Sequence, residues 1–232
     1  MIFSVLKGGI IINAMLWSML LLFPLIAWLS SEGDLMDYFI YDMPEGQLLY
    51  VISKLLGLYG LVFLWLHMSY ALLRNSVLNG FIIPWTIRKH RNTALFSMAL
   101  IVVHLLLFIA AVSLRKQTIA VELFIPSFSH GYYKSLLSFG VIAFWLILCV
   151  AIMGRLLSLM NQYHAMGIWV HRLSVICFIL VYFHGLGVGS ETKNGVLFGF
   201  YLFLGGSLLT FLLLRIPGFL GVSDSFNKLR RL

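Results

Sequence analysis

The sequence is short of charge. Of its 232 residues only 10% are Asp, Glu, Lys or Arg, and the acidic residues number 8 against 16 basic ones. That balance lies far outside the range of soluble domains, so a water-soluble globule is excluded. Cysteine is nearly missing: Cys149 and Cys177 stand alone, without a CxxC or paired spacing. They point to neither a disulfide framework nor a thiolate site, and read as small buried hydrophobes. Proline is limited to five residues, of which Pro24 falls inside an apolar run, where a membrane helix tolerates it. Internal repeats, low-complexity tracts and linkers are missing too, so the chain is expected to form one domain over residues 1–232. A nucleotide loop is also lacking: "HGLGVGS" follows a membrane helix rather than a strand and does not fit the dinucleotide fingerprint.

What the chain has is apolar length. Hydrophobic residues make up 61% of it and the mean hydropathy is +1.00. Read with a window of about 19 residues, apolar spans fall at Gly9–Leu29, Leu48–Leu72, Thr93–Val112, Leu136–Met153, Leu173–Val188 and Val196–Leu214. Each is near the ~20 residues needed to cross a bilayer as a helix. The fifth is short and extends backwards through "MGIWVHR", so its first turns are expected at the interface. The first begins near Lys7 and has no small-residue cleavage site after it, which predicts a retained helix rather than a signal peptide. The expected fold is an all-α, polytopic bundle of six transmembrane helices.

Orientation follows from the basic residues between spans. With a cytoplasmic N-terminus, the inner segments hold Lys7, Arg74, Arg88, Lys89, Arg91, Arg155, Arg172, Arg215, Lys228, Arg230 and Arg231. The outer segments hold only Arg115, Lys116, Lys134 and Lys193. Both termini are therefore expected inside, and the net charge of +8 reads as a collar facing anionic lipid rather than a nucleic-acid surface. Glu32, Asp34, Asp37, Asp42 and Glu45 fall in the first outer loop, in agreement. "RIPGFLGVSDSFNKLRRL", residues 215–232, reads as an interfacial tail.

Against this apolar background the histidines stand out, because an ionisable side chain in a membrane span is costly and marks a functional candidate. His90 and His104 belong to the third span, His171 and His184 to the fifth. The members of each pair lie about 20 Å apart along a helix, which makes two layers with one imidazole from each helix per layer. Two facing imidazoles per layer suit a stacked pair of haems held axially; zinc would need a third or fourth ligand nearby, and none is evident. The competing reading is a set of core histidines bonded to backbone carbonyls. Helical geometry puts a strain on the haem reading. A step of 14 residues returns to within about 40° of the same face, but a step of 13 misses by about 140°. The fifth helix must bend, unwind near His171, or meet laterally offset groups.

"RKHR" followed by His104, and "WVHRL" followed by His184, resemble the ferric reductase-like transmembrane domain. That superfamily takes in ferric reductases, NADPH oxidases and the haem membrane subunit of the bacterial methionine sulfoxide reductase system. The resemblance covers about residues 46–215 and rests on the H-x13-H and H-x12-H spacings. It implies two haem b groups: His90 and His171 on the inner iron, His104 and His184 on the outer. It further implies single electrons relayed from a cytoplasmic flavoprotein reductase, NAD(P)H-linked, or from quinol, to an external acceptor such as ferric iron. FAD or FMN and NAD(P)H would belong to the partner chain, since the oxidases' flavin domain after the sixth helix is missing here. Phe108 stands where the oxidases tend to have a second histidine one turn beyond the outer ligand, which argues against dedicated oxygen reduction. The methionine sulfoxide reductase subunit often has a basic residue where His90 sits, so His90 argues for a full two-haem set. Delivery of electrons to a periplasmic oxidoreductase of that kind is the first alternative, and a histidine-lined proton or metal transporter the second. The latter predicts broken helices or inverted repeats and acidic partners within the spans. A bacterial inner membrane is the expected location.

Lys54 lies in the second span at about the depth of the outer layer and needs a carboxylate or oxygen partner, for which a haem propionate or an anionic acceptor would serve. Arg91 and Arg172 each follow an inner histidine and are candidates for inner propionates, although the positive-inside bias also explains them. His67 and His164 read as satisfied structural histidines near the inner layer, and His130 as a solvated loop residue. Trp85, Trp169, Tyr132 and Tyr133 read as interfacial belt residues.

Overall fold

The structure, a computed structural model, describes residues 18, 21–74, 86–129, 131–158, 164–189 and 191–219. Among them every regular element is helical. In chain order these are α1 (Leu21–Glu32), α2 (Asp37–Ile40), α3 (Gln47–Leu73), α4 (Ile87–Lys116), α5 (Tyr132–Ser158), α6 (His164–Arg172), α7 (Ser174–Val188) and α8 (Gly195–Phe219), with 3-10 turns at Val121–Phe124 and Glu191–Lys193. Five stretches are long and apolar enough to cross a membrane: α3, α4, α5, the α6–α7 pair from Met166 to Val188, and α8. The chain is thus an all-helical protein built for a lipid bilayer. Of the expected first span, α1 is the described part, and the rest lies outside the described residues, as do Trp85, His130 and the tail beyond Phe219.

The helices overrun the apolar windows that predicted them. α4 begins six residues before Thr93 because Thr86 caps it, its hydroxyl accepting from Lys89 N at 3.2 Å. It ends in Arg115 and Lys116, basic side chains that suit the negative end of the helix dipole. α3 is preceded at its N-cap by Gly46, whose φ of +76° favours glycine and whose missing side chain leaves room for the backbone of Ala111. α1 runs to Glu32, past the Leu29 limit, which moves Glu32 from the outer loop into the bundle.

α3 is the central helix: it packs along α4, α8 and α7, while α5 packs along α7 and α6. Its inward face supplies Val51, Leu58, Leu61, Leu64 and Trp65 to a core completed by Trp28 of α1, Phe178 of α7 and Leu197, Phe200, Tyr201 and Leu204 of α8. Several polar side chains of this core find partners within the bundle, which a bilayer favours. Trp28 Nε1 donates to Val51 O (3.1 Å), Trp65 Nε1 to Ser207 Oγ (3.0 Å) and Tyr182 Oη to Tyr201 O (3.0 Å). Cys177 is buried as expected, whereas Cys149 is exposed, because its stretch of α5 faces away from the other helices.

α4 and α7 are not packed directly on one another. α4 leans on α3, and α7 on α5 and α3. Accordingly α4 buries only Ser97, Ile109 and Ala111 along its 30 residues. α4 carries His90 and His104, while His184 lies on α7 and His171 on the preceding α6.

Candidate metal centre

The four histidines meet in two layers. His90 of α4 faces His171 of α6, with ring centroids 5.7 Å apart and planes at 79°. His104 of α4 faces His184 of α7, with centroids 6.5 Å apart and planes at 71°. Imidazoles from α4 and from the fifth span thus face one another in both layers.

The His104–His184 layer is built twice over from the same parts. His104 Nδ1 donates to the carbonyl of Ser53 on α3 (2.6 Å), and its ring lies against Gly57, one turn further along. His184 Nδ1 donates to the carbonyl of Leu136 on α5 (2.9 Å), and its ring lies against Gly140, again one turn further. A carbonyl and a glycine four residues on therefore form a cradle for each ring. Among the described residues neither Nε2 has a hydrogen-bond partner. A backbone acceptor on Nδ1 fixes the tautomer with its lone pair on Nε2, which is the arrangement of a metal-ligating histidine. The carbonyl bonds expected of ordinary core histidines are present, then, but they leave a donor nitrogen on each ring of a facing pair.

Separation tests what such a pair can hold. A metal bonded at about 2.0 Å to Nε2 of both rings sets their centroids about 6.3 Å apart. The 6.5 Å of His104 and His184 meets that span, and the 5.7 Å of His90 and His171 falls short by about half an ångström. Among the described residues no three His, Cys, Asp or Glu side chains converge on a common metal position. The arrangement suits a metal whose remaining ligands arrive with it, as in a porphyrin.

A tightened turn interrupts the fifth span between the two histidines of the thirteen-residue step. α6 ends at Arg172 and α7 starts at Ser174, with Leu173 N bonded to Val170 O at 3.1 Å, a tightened i to i−3 turn. The interruption lies two residues after His171, so His171 and His184 are carried on separate helices.

His67 is closer to this site than its sequence position promised. Its Nδ1 lies 3.1 Å from His90 Nδ1, its Nε2 lies 3.3 Å from Thr93 Oγ1, and its ring stands edge-on to His90 with centroids 4.7 Å apart. α3 and α4 run antiparallel, so the fourteen residues from Ser53 to His67 span the fourteen from His104 back to His90. α3 thereby supplies an Nδ1 partner to both α4 histidines.

The remaining candidates sit at the edges. Lys54 Nζ meets Glu32 Oε1 at 2.5 Å and lies 5.3 Å from the Tyr50 ring centroid, so this ammonium takes a carboxylate partner from the chain itself. The Glu32 side chain is only 4% exposed, and its Oε2 accepts from Tyr38 Oη at 3.3 Å. Arg172 is exposed and lies over the Trp169 ring at 4.4 Å; Arg91 is exposed too. Phe108 packs on Tyr50, with centroids 6.1 Å apart. His164 opens α6, and its side chain lies outside the described residues. Sequence reasoning missed Gly57, Gly140, Thr93 and the two carbonyls. Of these only the glycines had a signal, as isolated glycines in apolar helical runs.

Comparison of the chain with protein-family models, curated proteins and solved structures returns no match.

Proposed function

We propose that this protein is a two-haem b-type transmembrane cytochrome of the ferric reductase-like kind. It relays single electrons from a cytoplasmic flavoprotein reductase, NAD(P)H-linked, to an external acceptor such as ferric iron. The observation that carries the reading is the facing pair His104 and His184, 6.5 Å apart, each with Nδ1 held by a carbonyl of a neighbouring helix. When bound, haem supplies four equatorial nitrogens and an iron that exchanges one electron. The chain's part is to hold that iron from both sides, fix the ring tautomers, and keep the two layers about 20 Å apart along α4. His90 and His171 serve the inner iron, His104 and His184 the outer. Arg91 and Arg172 stand at the inner layer, within the chain's basic collar, where propionates and an anionic donor surface are stabilised. Lys54 is already neutralised by Glu32, so its role is to fix α1 against the outer layer rather than to hold a propionate alone. A periplasmic oxidoreductase, such as a methionine sulfoxide reductase, is the alternative acceptor, in a bacterial inner membrane.

The break at Leu173 and the His67–His90–His171 row favour a second reading, a histidine-lined path for protons or metal ions. Absorbance of the purified protein separates the two. Dithionite is expected to produce sharp b-type bands corresponding to about two haems per chain, and His90→Ala to retain one of them. A colourless protein from haem-replete cells sinks the cytochrome.

A further inference from the structure

By its basic residues the connection from α4 to α5 is an expected outer loop, yet its contacts reach well down α5. Trp145 Nε1 donates to Phe124 O (3.0 Å). Ser138 Oγ accepts from Ser127 N (2.7 Å) and donates to Ser127 O (2.8 Å), sharing that hydrogen with Lys134 O (2.9 Å). Lys134 and Arg155, the basic residues near the two ends of α5, stand about 32 Å apart along its axis. That is the thickness of a hydrocarbon core, which therefore begins near Lys134. Ser138 lies about 6 Å and Trp145 about 17 Å further in. Even with its side chain leaning back toward the start of the helix, Trp145 holds Phe124 below the level of Lys134.

The segment is built as lipid demands. In water, solvent satisfies an irregular backbone and large apolar side chains turn inward; in lipid, the backbone must be paired and apolar side chains are at home outside. The N–H groups of Ala120, Val121, Leu123, Ile125 and Ser127 have oxygen partners within the segment, on Ser113 or on Ser138, and Pro126 has no N–H to satisfy. Ile119, Val121, Ile125 and Phe128 are all more than half exposed. The one charge among residues 118–128 is Glu122, and its carboxylate meets Lys116 Nζ at the end of α4 (2.6 Å), a side chain turned back toward the interface.

We propose that residues 119–128 form a re-entrant strap sunk into one leaflet of the bilayer, with Ile119, Val121, Ile125 and Phe128 against lipid acyl chains. Trp145 and Ser138 are its anchors, each supplying a polar group that the strap's backbone needs at that depth. Ser138 lies between Leu136 and Gly140, the two residues that cradle His184, so the strap meets α5 at the depth of the His104–His184 layer. This placement is independent of what the histidine layers hold.

The test uses the full chain in lipid nanodiscs, in a Cys149→Ala background where the remaining Cys177 is buried. A nitroxide is attached at Ile125→Cys or Phe128→Cys, and power-saturation EPR compares its collisions with oxygen, which concentrates in lipid, and with a water-soluble nickel chelate. Both labels are expected to favour oxygen, as Leu209→Cys on the exposed face of α8 should, and unlike Lys193→Cys in the turn before α8. Nickel accessibility as high as at Lys193 overturns the strap. So does a label shielded from both reagents, which means that protein covers this surface instead of lipid. Trp145→Phe combined with Ser138→Ala removes the anchoring groups, and is expected to raise nickel accessibility at Ile125 several-fold while Leu209 stays unchanged. An Ile125 label that keeps its depth in that variant overturns the anchoring.

Discussion

A methyl group on residue 57 would stand 2.9 Å from Cε1 and Nδ1 of His104, and one on residue 140 would stand 2.7 Å from Cε1 of His184. Both distances are shorter than carbon atoms tolerate, so one ring or one helix has to shift. Because each ring is also tied to a carbonyl one turn away, it cannot turn aside without breaking that bond. Gly57→Ala and Gly140→Ala are therefore each expected to lose the haem of the His104–His184 layer and keep the other, read as a fall from two to one in a pyridine haemochrome assay. Gly206→Ala is the control: nothing lies within 4 Å of its added carbon, and alanine gains about 1 kcal/mol of helix propensity, so both haems should remain. At this scale the histidines were legible, since imidazole in an apolar run is conspicuous. Their partners were not, because any residue type can offer a backbone carbonyl.

Single elements show where apolar windows stop being informative. Hydropathy ended the first span at Leu29, yet α1 continues to Glu32 because the chain provides Lys54 to receive that carboxylate. Among the described residues, polar contacts that tie α1 to α3 include the Glu32–Lys54 pair, Trp28 Nε1 to Val51 O at 3.1 Å, and Tyr59 Oη to Leu21 O at 2.6 Å. The pair is the costly one to break, since Glu32 is 4% and Lys54 20% exposed. Glu32→Gln takes the carboxylate charge away from the Lys54 ammonium and is expected to cost about 3 kcal/mol. Adding Lys54→Met should recover most of it, because two matched apolar or neutral groups replace a buried pair at little cost. Thermal unfolding in detergent, followed by dye labelling of buried Cys177 in a Cys149→Ala background, measures both. If the single and double variants melt together, the pair is not what fixes α1. The thirteen-residue step called for a bend, an unwinding near His171 or an offset, and the chain has a tightened turn at Leu173. Its site was not legible, because nothing in "HRLSV" marks a helix end.

For the whole molecule, the uneven distribution of Lys and Arg sets an expected orientation that can be tested directly. Alkaline phosphatase fused after Phe128 or Lys193 should be active, and green fluorescent protein fused after Arg74 or Leu157 should fluoresce, placing the Arg74 and Leu157 ends in the cytoplasm. The reversed pattern would turn the relay around, with reductant entering from outside. In either orientation α4 leans mainly on α3 and α7 mainly on α5, and the imidazoles of α4 face those of α6 and α7.

By itself the sequence determined a membrane-embedded helical protein and singled out His90, His104, His171 and His184, because both conclusions depend on hydropathy and on the cost of polar groups in lipid, which are additive along the chain. Only the tertiary structure decided that the α4 histidines face those of α6 and α7, that Lys54 meets Glu32, and that His67 stands beside His90. Those are relations between side chains on different helices, and they depend on the antiparallel register of α3 against α4, which hydropathy does not encode.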